Sequence, residues 1–166
     1  MTFRYLNLPP IPKHIVDDLN HDYDRFEPIP GTTSRSYYRY IRSMSFTEEL
    51  RDWCNENVCQ LELWGVQLIK YNIPIHKDFN GIKQRLTYVI ETGGDNVETI
   101  FYDDNKEITQ VSVIEPFRWH LLDAGVYHSV KGVSPGNIRF AVSAPILHDI
   151  ETTKKLRKEY PDINNY

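Results

Sequence analysis

Three residues, His76, Asp78 and His128, carry side chains of the kind that share a metal ion. In extended chain, residues i and i+2 project to the same side, so the imidazole of His76 and the carboxylate of Asp78 converge on one point. The pair follows a strand-forming stretch and the dipeptide Ile73-Pro74, which disfavours helix. His-x-Asp by itself arises often by chance. It gains weight from His128, which lies in the strand-forming run Tyr127-His128-Ser129-Val130 after the turn-like Asp123-Ala124-Gly125. Two histidines and one carboxylate on a common face leave open positions on a non-haem Fe(II) ion. His120 is a rival for the third position, whereas His14, His21 and His148 read as surface or packing residues.

Arg139 adds a second kind of chemistry. If Ser134-Pro135-Gly136-Asn137 is a two-residue hairpin turn, Arg139 stands opposite Gly132, on the same face as His128 and about 13 Å along the strand at roughly 3.3 Å per residue. Guanidinium is the natural fork for a carboxylate, and a cation on the inner face of a small barrel is costly without an anionic partner. The alternatives are an internal ion pair, with Glu91 or Glu115 as partner, or a wider turn that sends Arg139 outwards.

The elements that must position these residues are mostly strands. The candidates are residues 63–72, 85–91, 98–102, 108–114, 118–122, 127–131 and 138–144, rich in β-branched and aromatic residues and separated by turn-forming clusters. Seven short strands at this spacing predict an antiparallel sandwich or barrel. Before them, Lys13 to Leu19 has room for two helical turns, and Ser45 with Glu48 has capping-box spacing, predicting an amphipathic helix to about Asn57. The expected organisation is one domain over 1–166: a wrapping segment and helix (1–60), a β core (61–145) and a helical tail (146–166).

The 166 residues suffice for one hydrophobic core, and a net charge of −4 argues against general nucleic-acid binding. No apolar run reaches the roughly 18–20 residues that cross a bilayer, and the first residues lack a signal-peptide core, so a protein with no membrane partner, in the cytoplasm, is expected. Two cysteines, Cys54 and Cys59, are too few for a disulfide scaffold and read as reduced residues. Trp64, Tyr71, Tyr102, Phe117 and Trp119 read as core rather than as a substrate platform.

The ordered set His76-x-Asp78, His128 and Arg139 resembles the Fe(II)- and 2-oxoglutarate-dependent dioxygenases of the double-stranded β-helix (jelly-roll, cupin-like) fold. The stretches Arg85-Leu86-Thr87-Tyr88-Val89-Ile90 and Tyr127-His128-Ser129-Val130-Lys131-Gly132 look most like the aspartyl/asparaginyl β-hydroxylase branch. The likeness spans about residues 63–144. It implies a mainly β fold with a few flanking helices, Fe(II) on His76, Asp78 and His128, 2-oxoglutarate with its distal carboxylate on Arg139, and O2 as oxidant. Some members of the branch replace the carboxylate ligand by glycine; here Asp78 completes the triad. Branch relatives place an arginine shortly after His-x-Asp that contacts a cosubstrate or substrate carboxylate, and Arg85 occupies that place. The implied reaction couples decarboxylation of 2-oxoglutarate to succinate and CO2 with hydroxylation of a C–H bond.

Two other readings compete. The same triad suits a zinc site that activates water for hydrolysis, which leaves Arg139 unexplained and finds no general base. A jelly-roll binding or structural module would need none of these residues. Ser129, Thr87 or Tyr88 are candidates for orienting the ligand histidines. A small molecule, amino acid or peptide is the expected substrate, selected by the loops Phe79–Gln84 and Gly93–Val97 and by the N-terminal segment. The sequence carries no signal for oligomeric state.

Overall fold

A computed structural model describes residues 2–20, 38–41, 48–59, 61, 64–78 and 82–147. In chain order the elements are β1 (Phe3–Tyr5), α1 (Lys13–Asn20), β2 (Tyr38–Ile41), α2 (Glu48–Asn57), β3 (Gly65–Ile69), β4 (Ile73–His76), β5 (Ile82–Thr92), β6 (Glu98–Tyr102), β7 (Ile108–Val113), β8 (Trp119–Asp123), β9 (Tyr127–Lys131) and β10 (Arg139–Leu147). The strands form a six-stranded sheet in the order β1-β8-β5-β10-β3-β2 and a four-stranded sheet in the order β4-β9-β6-β7. Every strand pair is antiparallel. This is the mainly β double-stranded β-helix expected from the sequence, with α1 and α2 flanking it.

Strand periodicity explains why the six-stranded sheet holds two cores. Along β10, Phe140, Val142, Ala144 and Ile146 join Leu86 and Tyr88 of β5 and Trp119 and Leu121 of β8 in a cluster with Ile15, Val16 and Leu19 of α1 and Leu50 and Cys54 of α2. The residues between them turn the other way: Ala141, Val89 and Leu122 pack with Phe3 of β1 and Phe101 of the facing sheet. A strand covered on both faces loses its apolar–polar alternation, which is why residues 86–90 of β5 are all buried. The inner face of β10 is therefore Arg139, Ala141 and Ser143, and Arg139 and Ser143 are polar groups built into the interior.

The buried indoles find partners on the wrapping segments, as their N–H groups require. Trp119 Nε1 donates to the Pro9 carbonyl at 2.8 Å, and Trp64 Nε1 donates to Asn55 Oδ1 of α2 at 2.9 Å. Cys54 and Cys59 lie in the helix-side core as thiols, and burial pushes the Cys54 thiol up.

Several expectations need correction. The segment before residue 61 is more than a wrap, because β1 and β2 form the two edges of the six-stranded sheet, and the β core runs past 145 to Leu147. Residues 134–137 do turn, with Asn137 N–H donating to the Ser134 carbonyl at 3.0 Å and Gly136 at φ +83°, but they are no hairpin. β9 pairs with β4 and β6, while β10 pairs with β3 and β5, so the turn carries the chain from one sheet to the other. Arg139 pairs with Ile69 and Thr92 instead of Gly132. Trp64, Tyr102 and Trp119 are buried, but Tyr71 and Phe117 are exposed. The Ser45 cap, His21, His148 and the tail after 147 lie outside the described residues.

Candidate metal centre

The metal face is made where β4 meets β9. His76, the last residue of β4, pairs directly with His128 in β9, and their rings lie 4.3 Å apart. Each imidazole turns Nδ1 to the carbonyl two residues earlier: His76 to Pro74 at 2.9 Å, His128 to Val126 at 3.0 Å. A carbonyl only accepts, so Nδ1 carries the hydrogen in both rings and both Nε2 atoms keep a lone pair for a ligand in the neutral form. Backbone carbonyls do the orienting, a role not taken by the side-chain candidates. Ser129 is bonded to Tyr102 Oη at 2.9 Å, Thr87 to Ser143 Oγ at 3.2 Å, and Tyr88 packs in the helix-side core.

Asp78 follows β4 and is fastened by its own N–H, which donates to the Ala124 carbonyl at 2.9 Å. Its Oδ1 lies 3.4 Å from His76 Nε2 and 3.9 Å from His128 Nε2. One ligand atom from each of the three residues falls within 4.8 Å of the others, and among the described residues this is the one such group. Metal–ligand bonds of about 2.1 Å place adjacent donors about 3 Å apart, so the set closes on an ion with small side-chain adjustments. Two imidazoles and one carboxylate fit a divalent transition metal and leave open positions on it.

Arg85 lies on the other oxygen of the same carboxylate. Its Nε donates to Asp78 Oδ2 at 2.9 Å, Nη2 stands 2.9 Å from that atom, and Nη1 reaches Ser143 Oγ at 3.5 Å. The arginine expected to meet a cosubstrate or substrate carboxylate thus meets Asp78 in this structure, leaving Oδ1 towards the histidines. Burial opposes ionisation of Asp78, but the His76 hydrogen bond and the Arg85 charge outweigh it and hold the carboxyl well below its usual range. Burial also works against the His76 imidazolium. The Asp78 and Pro74 hydrogen bonds win there, so His76 is raised, whereas burial and the His76 charge lower His128.

Arg139 lies in the same interior, on the facing sheet. It is buried, and its Nε and Nη1 have no hydrogen-bond partner. Burial pushes its pKa down to about 10, so the group stays cationic at neutral pH. The alternative to ligand binding, an internal ion pair to Glu91 or Glu115, is not formed at Nε or Nη1. Ser143 and Arg139 are four residues apart on one face of β10, about 13 Å at roughly 3.3 Å per residue. The small Ala141 stands between them.

His120 is no part of the metal group. It sits on the inner face of β8, opposite Tyr5 on one side and Thr87 on the other. Gly93–Val97 follows the end of β5 seven residues beyond Arg85, roughly 23 Å along the strand, and so does not border the triad. That end of the barrel carries a shallow cleft of about 420 Å³ lined by Ile90, Glu91, Gly93, Pro116, Gly136 and Ile138. Of the other proposed mouth loop, residues 79–81 lie outside the described residues. Sequence reasoning missed Ser143 and Tyr5; parity along β10 identifies the first, since residues 139 and 143 share a face.

No protein-family model and no curated protein matches the sequence. Among solved structures the fold is similar to an oxidoreductase of the 2OG-Fe(II) oxygenase family from Burkholderia pseudomallei, with 9% identity and a TM-score of 0.54 over 80% of this chain and 77% of that one. It also aligns with IDO from Bacillus thuringiensis, at 10% identity and a TM-score of 0.46 over 82% and 84% of the two chains. Identities this low speak to the fold. Among the described residues, no helix is long and apolar enough to cross a membrane.

Proposed function

We propose that the chain is an Fe(II)- and 2-oxoglutarate-dependent oxygenase that hydroxylates an amino acid, a peptide side chain or another small molecule, releasing succinate and CO2. The observation that carries this reading is the pairing of a His76-Asp78-His128 donor set with a buried arginine whose Nε and Nη1 have no partner in the same interior. Bound Fe(II) would supply O2 activation. The protein's residues supply the rest.

His76, Asp78 and His128 would hold the ion, and three protein donors would leave positions free for the 2-oxo acid head and O2. Arg139, projecting from the far end of the inner face of β10, takes the distal carboxylate. The 13 Å interval suits an extended guanidinium arm meeting a five-carbon diacid, and a buried cation is costly until such an anion arrives. Arg85 holds Asp78 and stands beside Ser143 where the acid head would enter. Phe3, Phe101, Val89 and Leu122 keep water from the space between the sheets. The hydrolase reading leaves Arg139 without a task, and the one carboxylate among the clustered residues, Asp78, is used as a ligand.

The direct test is turnover. Purified protein with Fe(II), O2 and 2-oxoglutarate should form succinate slowly even without a substrate, and His76→Ala or His128→Ala should abolish it. Metal-replete protein that forms no succinate with or without candidate substrates contradicts the reading.

A further inference from the structure

The ion pair between Arg85 and Asp78 has an unusual shape. An arginine commonly meets a carboxylate as a fork, with one N–H group to each oxygen. Here Nε and Nη2 both lie 2.9 Å from the same atom, Asp78 Oδ2. Oδ1 faces the histidines, 3.4 Å from His76 Nε2 and 3.9 Å from His128 Nε2. The two oxygens of one carboxylate are thus divided between a cation on the six-stranded sheet and two imidazoles on the four-stranded sheet.

The surrounding structure holds this division in place. Arg85 stands in β5 between β8 and β10, opposite Leu122 and Pro145, so its backbone is fixed from both sides. Its Nη1 reaches Ser143 Oγ at 3.5 Å, and Ser143 is bonded to Thr87 at 3.2 Å, all on one inner face. The Asp78 N–H is spent on the Ala124 carbonyl at 2.9 Å. Side-chain exposure is only 16% for Arg85 and 14% for Asp78, so solvent screens the pair poorly.

A carboxylate that presents both oxygens to an ion fills two of its positions, and one that presents a single oxygen fills one. A metal bond through Oδ2 would bring a divalent cation and a guanidinium onto one atom in a partly dry interior, where like charges repel strongly. Two histidines and a one-oxygen aspartate leave three positions on a six-coordinate ion, enough for a chelating acid head and O2 together. A two-oxygen aspartate would leave only two.

We propose that Arg85 is a positioning residue that confines Asp78 to one-oxygen ligation and so keeps a third position on the ion open. The inference rests on the metal-centre part of the function proposed above and does not require the cosubstrate to be 2-oxoglutarate. Arg85 then has a task before any acid binds.

The test counts water on the ion, with Mn(II) as the probe because it favours six ligands and is paramagnetic. Metal-stripped protein is loaded with Mn(II) in the absence of any 2-oxo acid, and its electron paramagnetic resonance spectra in ordinary and oxygen-isotope-enriched water are compared. Wild type should carry about three exchangeable waters and Arg85→Met about two, as Oδ2 joins Oδ1 on the ion. Arg85→Gln, which is neutral but keeps a polar group for Ser143, should also fall to about two, so the test survives if Arg85→Met fails to fold. Arg85→Lys, which restores a cation beside Oδ2, should return towards three. An arginine that serves only the fold would lower the melting temperature in Arg85→Gln and leave the water count unchanged. One that serves only an incoming acid would weaken 2-oxoglutarate, again with the count unchanged. An unchanged count in the neutral variants, or about two waters in wild type, overturns the assignment of Arg85 alone. Failure of wild type to bind Mn(II) overturns the metal-centre reading and this assignment together.

Discussion

His76 and His128 are directly opposed residues on neighbouring antiparallel strands, and each spends Nδ1 on the carbonyl two residues before it. The repetition is a consequence of backbone geometry. It presents two Nε2 atoms to the Asp78 carboxylate without help from any other side chain, so ring orientation depends on β4 and β9 being paired.

Metal binding should therefore be proton-linked in a defined direction. His76 is raised by its Asp78 hydrogen bond despite burial, whereas His128 and Asp78 are lowered. An ion must displace the His76 proton, so Fe(II) affinity should rise with pH through the raised His76 pKa and level off above it. Titrations at pH 6 to 8 in buffers of different ionisation enthalpy should detect about one proton released per ion at the lower end.

Arg139→Met should separate the two halves of the site. Fe(II) binding should remain, while 2-oxoglutarate affinity falls about a hundredfold with loss of a charge-assisted fork. Stability should be at least that of wild type, since an uncompensated buried cation has gone. Thermal unfolding beside ligand titration checks both.

Gly93 supports Arg139 from behind. At φ +85°, its position would place a Cβ 2.9 Å from the Arg139 backbone nitrogen and 3.2 Å from its Cβ. Gly93→Ala should cost about 1–3 kcal/mol from left-handed backbone strain and crowding. It should lower the melting temperature by several degrees and weaken 2-oxoglutarate more than Fe(II). Equal weakening of both would show that the crowding does not act through Arg139.

Acid should weaken the fold partly through His120. The ring is pushed to about 3 in the folded protein from an ordinary value of 6.5. Between those values the unfolded chain binds a proton that the folded chain does not, so stability is lost as pH falls through that window, at up to about 1.4 kcal/mol per pH unit. His120→Leu should show a shallower loss in chemical denaturation between pH 6.5 and 4.

The sequence revealed the parts of this architecture whose signals are local. All seven predicted strands from residue 63 onwards correspond to strands of the structure, because β-branched runs between turn clusters need no tertiary information. β1 and β2 were missed because strands of 3 and 4 residues carry too little pattern to read. β4 was missed because Pro74 masks it. The Ser134–Asn137 turn misled, since the same turn chemistry serves a hairpin and a crossover between sheets. Arg139 was expected inside the barrel for the wrong neighbour, and the inward position follows instead from its parity with Ala141 and Ser143. His76, Asp78 and His128 were legible by type and spacing. The Arg85–Asp78 contact and the stacking of His120 on Phe3 were not, because both depend on strand order across the sheet.

The central claim is one ion and one diacid held by named residues. Metal-free protein titrated anaerobically with Fe(II) and then with 2-oxoglutarate should develop the weak visible charge-transfer band of the chelate. His128→Ala should lose the band with the iron, and Arg139→Met should show it only at much higher 2-oxoglutarate. Iron bound tightly by wild type, with no band at any 2-oxoglutarate concentration, would contradict the account.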